Sequence, residues 1–214
     1  MTDLQTLLKQ SAALHNHLCP RQVLGVRMGL AAGRYLGIEV PQSDKRIFTI
    51  VETDGCATDG VAVAVNCWVG RRSMYVFDFG KVAATFVDTH TGRAVRIVPS
   101  AQSRQLAQQY APEAESRWHG YLLGYQRMPD DELLTIQEVS LTVSVQSLIS
   151  RDGYRVNCDI CGEEIINERE IRREGLTLCR ACAGARYYAL PDEATAAVRT
   201  VSACLDALED ILRE

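Results

Sequence analysis

An α+β fold is predicted, with helices packed on a mainly antiparallel sheet and a small C-terminal zinc-finger domain added to it. Three observations carry that prediction. Two stretches of helical apolar period open the chain. Short β-type runs separated by glycine turns fill its middle. Two CxxC pairs stand near its end. The expected organisation is an α+β core domain over 1–150, a four-cysteine finger over 151–190 and an amphipathic helix over 191–214.

The apolar fraction of 47% is enough for a real core in 214 residues. A formal net charge of −4 and a pI near 5.6 argue against a protein that works by wrapping nucleic acid. No apolar run is long enough to span a membrane. The N-terminus, Met1-Thr2-Asp3-Leu4-Gln5, lacks the positive-then-apolar form of a signal peptide, so the expected compartment is the cytoplasm. In that compartment the eight cysteines read as ligands or reactive thiols rather than disulfides.

Leu4, Leu7, Leu8, Ala12 and Leu14 recur at helical spacing behind Asp3 as N-cap. Pro20 suits the first turn of a second helix that includes 22–36 and stops at Gly37. Gly25, Gly29 and Gly33 stand one helical turn apart on it, which predicts that another backbone packs very close. Ile47–Val51 is a buried strand, followed by the loop Glu52–Cys56 and a helix over 58–68. Met74–Phe79, Val82–Val87 and Ala94–Val98 read as an antiparallel meander. Helices over 103–118 and 130–135 and an alternating strand over 136–145 complete the core. Trp68 and Trp118 are expected in the core or an interface, and His90 and His119 as solvated loop residues.

Cys158-Asp159-Ile160-Cys161 and Cys179-Arg180-Ala181-Cys182 are separated by 17 residues. Each CxxC turn aims two thiolates at one ion, and two turns complete a tetrahedron, so zinc is the expected cofactor here. Four cysteines fill every position and leave none open for catalysis. Six acids against four arginines between Cys158 and Cys182 point to a structural or protein-contacting finger, with nucleic acid not expected as partner.

A second cluster is His15-Asn16-His17-Leu18-Cys19-Pro20. His15, His17 and Cys19 share one side only if the helix ends near His15, because positions two apart diverge on a continuous helix. Cys56, at a loop-to-helix junction, is the expected partner, since amides and the helix dipole there favour a thiolate. Asp54 and Asp59 flank it as ligand, base or helix cap. Cys67, three helical turns on, reads as a small core residue. The cluster is open to two readings: metal or thiol chemistry, and plain structure.

These residues, followed by Asp54-Gly55-Cys56-Ala57-Thr58-Asp59-Gly60, Asp78-Phe79-Gly80-Lys81 and Thr91-Gly92-Arg93-Ala94-Val95-Arg96, resemble the FmdE family of formylmethanofuran dehydrogenase proteins over roughly residues 10–100. The four-cysteine segment is similar to the treble-clef zinc finger that many members carry. The resemblance implies an α+β core, a homodimer and a cleft lined by the histidine–cysteine motif. It also implies association with a molybdenum or tungsten (molybdopterin) enzyme. His17, Cys19 and Cys56 would be the functional positions, able to hold a second transition metal or an anionic cofactor, with His15 and Asp59 beside them. Two departures stand out: the family usually has glycine where this chain has Asn16 and Arg21. Arg21 puts a cation beside the proposed thiol. The expected function is a metal-binding accessory protein. The alternatives are a stand-alone metal- or thiol-dependent enzyme at the same His/Cys site and a zinc-finger regulator.

Overall fold

The computed structural model of the chain describes residues 3–149 and 153–190. The amphipathic helix expected over 191–214 lies outside the described residues. The chain divides into two compact units at Ile149.

The first unit starts with α1 (Leu4–His15), capped by the Asp3 carboxylate, which accepts from the amides of Gln5 and Thr6. After a short turn, α2 (Pro20–Leu36) runs through the middle of the unit, and Pro20 occupies its first turn as the sequence predicts. Strand β1 (Ile47–Val51) is buried at every position. Helix α3 (Cys56–Val65) returns the chain to β2 (Met74–Val76), and β3 (Ala84–Asp88), β4 (Ala94–Pro99) and β5 (Leu134–Val139) complete the sheet. Between β4 and β5 lie α4 (Ser103–Ala107), α5 (Arg117–Arg127) and α6 (Asp130–Leu133). A last short helix, α7 (Val145–Ile149), closes the unit.

The strand order is β2-β1-β3-β4-β5. All pairings are antiparallel except β1 with β2. The sheet is therefore mainly antiparallel, but the expected meander begins one strand late. Met74–Val76 does not form a hairpin with the strand that follows. The β1–α3–β2 passage is a crossover, and a crossover returns a strand parallel to the one it left. The helix expected over 103–118 is two helices. Pro112 lies in the turns between them, and the Ser116 hydroxyl starts α5 by accepting from the amide of His119 at 3.2 Å. The strand expected over 136–145 begins earlier, where Leu134 pairs with Pro99, and ends at Val139.

The sheet is covered on both faces. On one side Ile47, Val51, Phe86, Val95 and Ile97 pack against α1, α2 and α3. On the other, Phe48, Ile50, Val87 and Ala94 lie under residues of the 139–149 segment. Side chains alternate faces along a strand, which is why neighbours such as Ile47 and Phe48 join different clusters.

Helices α2 and α3 run side by side in the same direction at backbone contact. A Cβ on Gly25 would stand 2.8 Å from the amide nitrogen of Val61, and one on Gly60 would stand 2.9 Å from that of Val26. The glycine row of α2 thus has the function its spacing predicts, with Gly60 as its counterpart on α3.

Beneath the loop that leads into α3, Glu52 is almost fully buried and held bidentately by Arg96, at 2.6 and 2.8 Å. The Arg96 guanidinium holds its carboxyl below the ordinary value of 4.5. The Glu52 carbonyl also receives the amides of Phe79 and Lys81, both at 3.0 Å. No helix among the described residues is long and apolar enough to cross a membrane.

The second unit consists of two small hairpins, β6 (Arg155–Asn157) with β7 (Glu164–Ile166) and β8 (Ile171–Arg173) with β9 (Leu176–Leu178), then a single helical turn over Ala181–Ala185.

The packing of the core can be tested at two places. Gly25→Val or Gly60→Val pushes α2 and α3 apart, which should destabilise the core by at least about 1–3 kcal/mol, read as a lowered denaturant midpoint. Arg96→Met leaves the Glu52 charge without its partner. The expected cost is about 3 kcal/mol, the lower end of the range for a buried pair, because Arg96 is itself 29% exposed. In the wild type the folded pKa of Glu52 is depressed. Its contribution is complete above the ordinary value of 4.5 and is lost as pH falls through the lower folded value. A denaturation series from pH 7 to 3 should show a loss in the wild type that Arg96→Met largely abolishes.

Candidate functional site

Three helix ends meet at one place in the first unit. Helix α1 stops at His15, and Asn16 follows in the left-handed conformation at φ 59°. Glycine and asparagine adopt that conformation most readily, so Asn16 fills a position whose backbone geometry glycine would also suit. Turning the chain here takes His17 and Cys19 off the helix, as a shared site requires. Cys19 is the N-cap of α2, and its amide donates to Gln22 Oε1 at 2.8 Å. The same Gln22 side chain, fully buried, donates to the carbonyl and hydroxyl of Ser11 on α1, at 2.8 and 3.1 Å. One buried amide therefore fixes Cys19 relative to both helices. The spacing Cys19-Pro20-Arg21-Gln22 is that of a capping box with cysteine in place of serine, which is the signal that could have revealed Gln22.

Cys56 is the first residue of α3, after Gly55 as N-cap. Since α2 and α3 are parallel and in contact, their starts bring Cys19 and Cys56 together from 37 positions apart. Burial, then the neighbouring Cys19 thiol, push the Cys56 thiol above its ordinary value, against a lesser pull from Arg21. Asp59, one turn into α3, contacts His15 Nε2. His17 turns back so that Nδ1 lies 2.9 Å from the His15 carbonyl. The expected residues thus form two neighbouring couples, Cys19 with Cys56 and His15 with Asp59, and His17 faces its own backbone. Asp54 stays outside both. Cys67 is buried and bonded to Gln42 and the Ile47 carbonyl, so it is a core residue.

Cys19 and Cys56 line a cavity of about 440 Å³. The opposite wall is α5, whose Trp118, Tyr121 and Tyr125 share one helical face. Tyr121 and Tyr125 are stacked, with rings 7° from parallel. Trp118 is therefore neither core nor interface within this unit, but a cavity residue, 46% exposed. Arg27 holds this wall in place: it is buried and donates to the carbonyls of Tyr125 and Met128, both at 2.6 Å, and to Asp130 at 2.7 Å. A larger hollow of about 580 Å³ lies along 87–94 and 138–146, but no histidine or cysteine lines it.

In the second unit the sulfurs of Cys158, Cys161, Cys179 and Cys182 all lie within 4.8 Å of one another. Cys161 and Cys179 are 3.9 Å apart. A tetrahedral ion with thiolates at about 2.3 Å would hold its sulfurs on the order of 3.8 Å apart, so the set fits a metal. Gly162, at φ 75°, makes the turn after the first pair. The amides of Cys161 and Cys179 bring the Cys158 thiol down to about 6. The Cys179 thiol, with burial and the other two sulfurs, pushes Cys182 up to about 12. Four sulfurs this close resist joint ionisation unless a cation sits among them. Among the described residues this is the group of three or more donor atoms that converges on one point.

Known proteins share parts of this geometry. A protein of Archaeoglobus fulgidus described as a probable S-adenosyl-L-methionine-binding protein is 30% identical over 209 residues, 88% of this chain. Those residues are 55% of that relative, so the chain spans about half its length. The crystal structure of an FmdE-like protein of tungsten formylmethanofuran dehydrogenase from Syntrophus aciditrophicus shares the fold, with a TM-score of 0.56 at 19% identity. The match covers 88% of this chain and 96% of that one. A family model described as "FmdE, Molybdenum formylmethanofuran dehydrogenase operon" matches residues 14–135, which include both thiols of the cavity and its aromatic wall. That match takes in more than half of the sequence, and the chain belongs to the FmdE family.

Proposed function

We propose that the chain is a metal-binding accessory protein of a molybdenum or tungsten (molybdopterin) enzyme, and that the thiol-lined cavity is its working site. The observation that carries this reading is the convergence of Cys19 and Cys56 on one cavity wall at two paired helix starts. The description of the family model, which refers to a formylmethanofuran dehydrogenase operon, supports the choice of partner. Zinc is the ion we assign to the four-cysteine finger, on the all-thiolate donor set. A second transition metal would be held by Cys19 and Cys56, with His17 as third ligand once it gives up its bond to the His15 carbonyl. Asp59 orients His15 beside them. The homodimer expected from the resemblance belongs to the same proposal. The exposed ring of Phe79, stacked on Phe77 at the edge of the sheet, supports it.

The thiol-dependent enzyme is less well supported. A thiol pushed above its ordinary value stays protonated near pH 7, and the thiol form is a poor nucleophile. The acidic finger likewise offers little to a nucleic-acid backbone.

Elemental analysis of protein purified without added metal tests the core site. Two metals per chain, falling to one in Cys19→Ala/Cys56→Ala, is the expected result. One metal in both would confine metal binding to the finger and remove the basis of the second site. For the finger, chelation or Cys161→Ala should abolish its hairpins, because metal binding supplies the folding energy of so small a unit. Amide exchange should become fast over 155–178 while the 47–51 and 84–99 strands stay protected.

A further inference from the structure

Beside the aromatic cavity lies a second hollow of about 290 Å³, lined by Thr53, Gly55, Ala57 and Gly80. The two share Arg21, Cys56, Val82 and Arg104 as a common wall. They differ in character. The larger is bounded by rings and aliphatic groups. The smaller is bounded by backbone at the start of α3, where Gly55 offers no side-chain cap to the first amides. The start of a helix of this length favours negative charge.

The two arginines provide an independent observation. Arg27, Arg34, Arg46, Arg93, Arg96 and Arg127 each sit on a carboxylate. Arg21 and Arg104 have no carboxylate partner among the described residues, and both border the same pair of hollows. No Asp or Glu lines either hollow, in a chain whose net charge is −4. Arginine is suited to gripping a carboxylate or phosphate with two parallel bonds. An aromatic pocket with a few convergent polar groups is the common form of a small-molecule site.

We propose that these joined hollows bind an anionic small molecule with a flat ring. Its carboxylate or phosphate lies between Arg21 and Arg104 at the start of α3, and its ring lies along Trp118 and Tyr121. This deepens the accessory reading, since it rests on the cavity being the working site. It assigns the site a class of ligand and uses side chains other than the thiols. Arg21, where the family usually has glycine, is then a specificity residue of this member.

Naphthalene-2-carboxylate is a suitable probe, with naphthalene-2-carboxamide as its neutral counterpart of equal shape. Binding of each to the full chain is measured by isothermal titration. The carboxylate should bind one per chain, at least about tenfold more tightly than the amide, the scale of a charged hydrogen bond. Arg21→Gln and Arg104→Gln should each weaken the carboxylate by about tenfold and leave the amide unchanged, while Arg117→Gln, outside the cavity, should change neither. Trp118→Ala should weaken both probes. Equal binding of carboxylate and amide would overturn the proposal, as would no binding of either, or equal effects of Arg21→Gln, Arg104→Gln and Arg117→Gln. Cys19→Ala/Cys56→Ala separates the two readings. If it retains carboxylate binding while its metal content matches the wild type, the anion site stands and the metal reading fails. If metal content falls but the arginine variants bind the probe normally, the anion site fails alone.

Discussion

The close approach of α2 and α3 is the constraint on which the candidate site depends. Two helices carrying side chains at their interface stand about 8–10 Å apart. Here Gly25 and Gly60 remove those side chains at the points of contact, and each backbone meets the other directly. The parallel direction matters as much as the distance. It places both helix starts at the same end, so that Cys19 at one and Cys56 at the other become neighbours. An antiparallel pair would separate the two thiols by the length of α3, roughly 15 Å at 1.5 Å per residue. The β1–α3–β2 crossover imposes that direction, and the one parallel pairing in the sheet is its mark.

Around this contact, buried polar groups hold the chain where apolar packing alone would leave it free to slide. Gln22 joins α1 to the start of α2 through Ser11. Arg27 joins α2 to the end of α5 and so fixes the aromatic wall. Glu52 and Arg96 fasten the strand end from which the Cys56 loop departs. Each carries several hydrogen bonds at once, so each defines a geometry and leaves few buried polar atoms unmatched. The site is a meeting of loops and helix starts, and these bonds connect each loop to the sheet or to a neighbouring helix.

Much of this was legible in the sequence where the signal is local. Glycines at a helical repeat announced a close backbone, Pro20 announced a helix start, and CxxC spacing announced four converging sulfurs. The non-local features were not legible. Nothing in Met74–Val76 distinguishes a parallel edge strand from the first strand of a meander, because the direction of pairing is set by the connection and not by the strand. The helix break near Pro112 was hidden by the apolar period on either side of it. The aromatic wall escaped notice for the same reason: Trp118, Tyr121 and Tyr125 straddle the expected end of a helix at 118, so their common face could not be seen.

The two departures from the family pattern are unlike in kind. Asn16 replaces glycine at a left-handed position, and asparagine adopts that backbone conformation without needing a change elsewhere. It alters the site's shape little. Arg21 replaces glycine on the first turn of α2, a place that faces the cavity. A glycine there leaves space and no charge. An arginine fills part of that space and places a cation near Cys56 and opposite Arg104, at helix starts that already favour negative charge. Two cations facing each other across a cavity without carboxylates repel, and an arrangement of that sort is stabilised by whatever anion comes between them. The backbone of the family motif is thus kept while the charge of the space it encloses is changed, which makes ligand choice, rather than fold or thiol placement, the property on which this chain departs from its relatives.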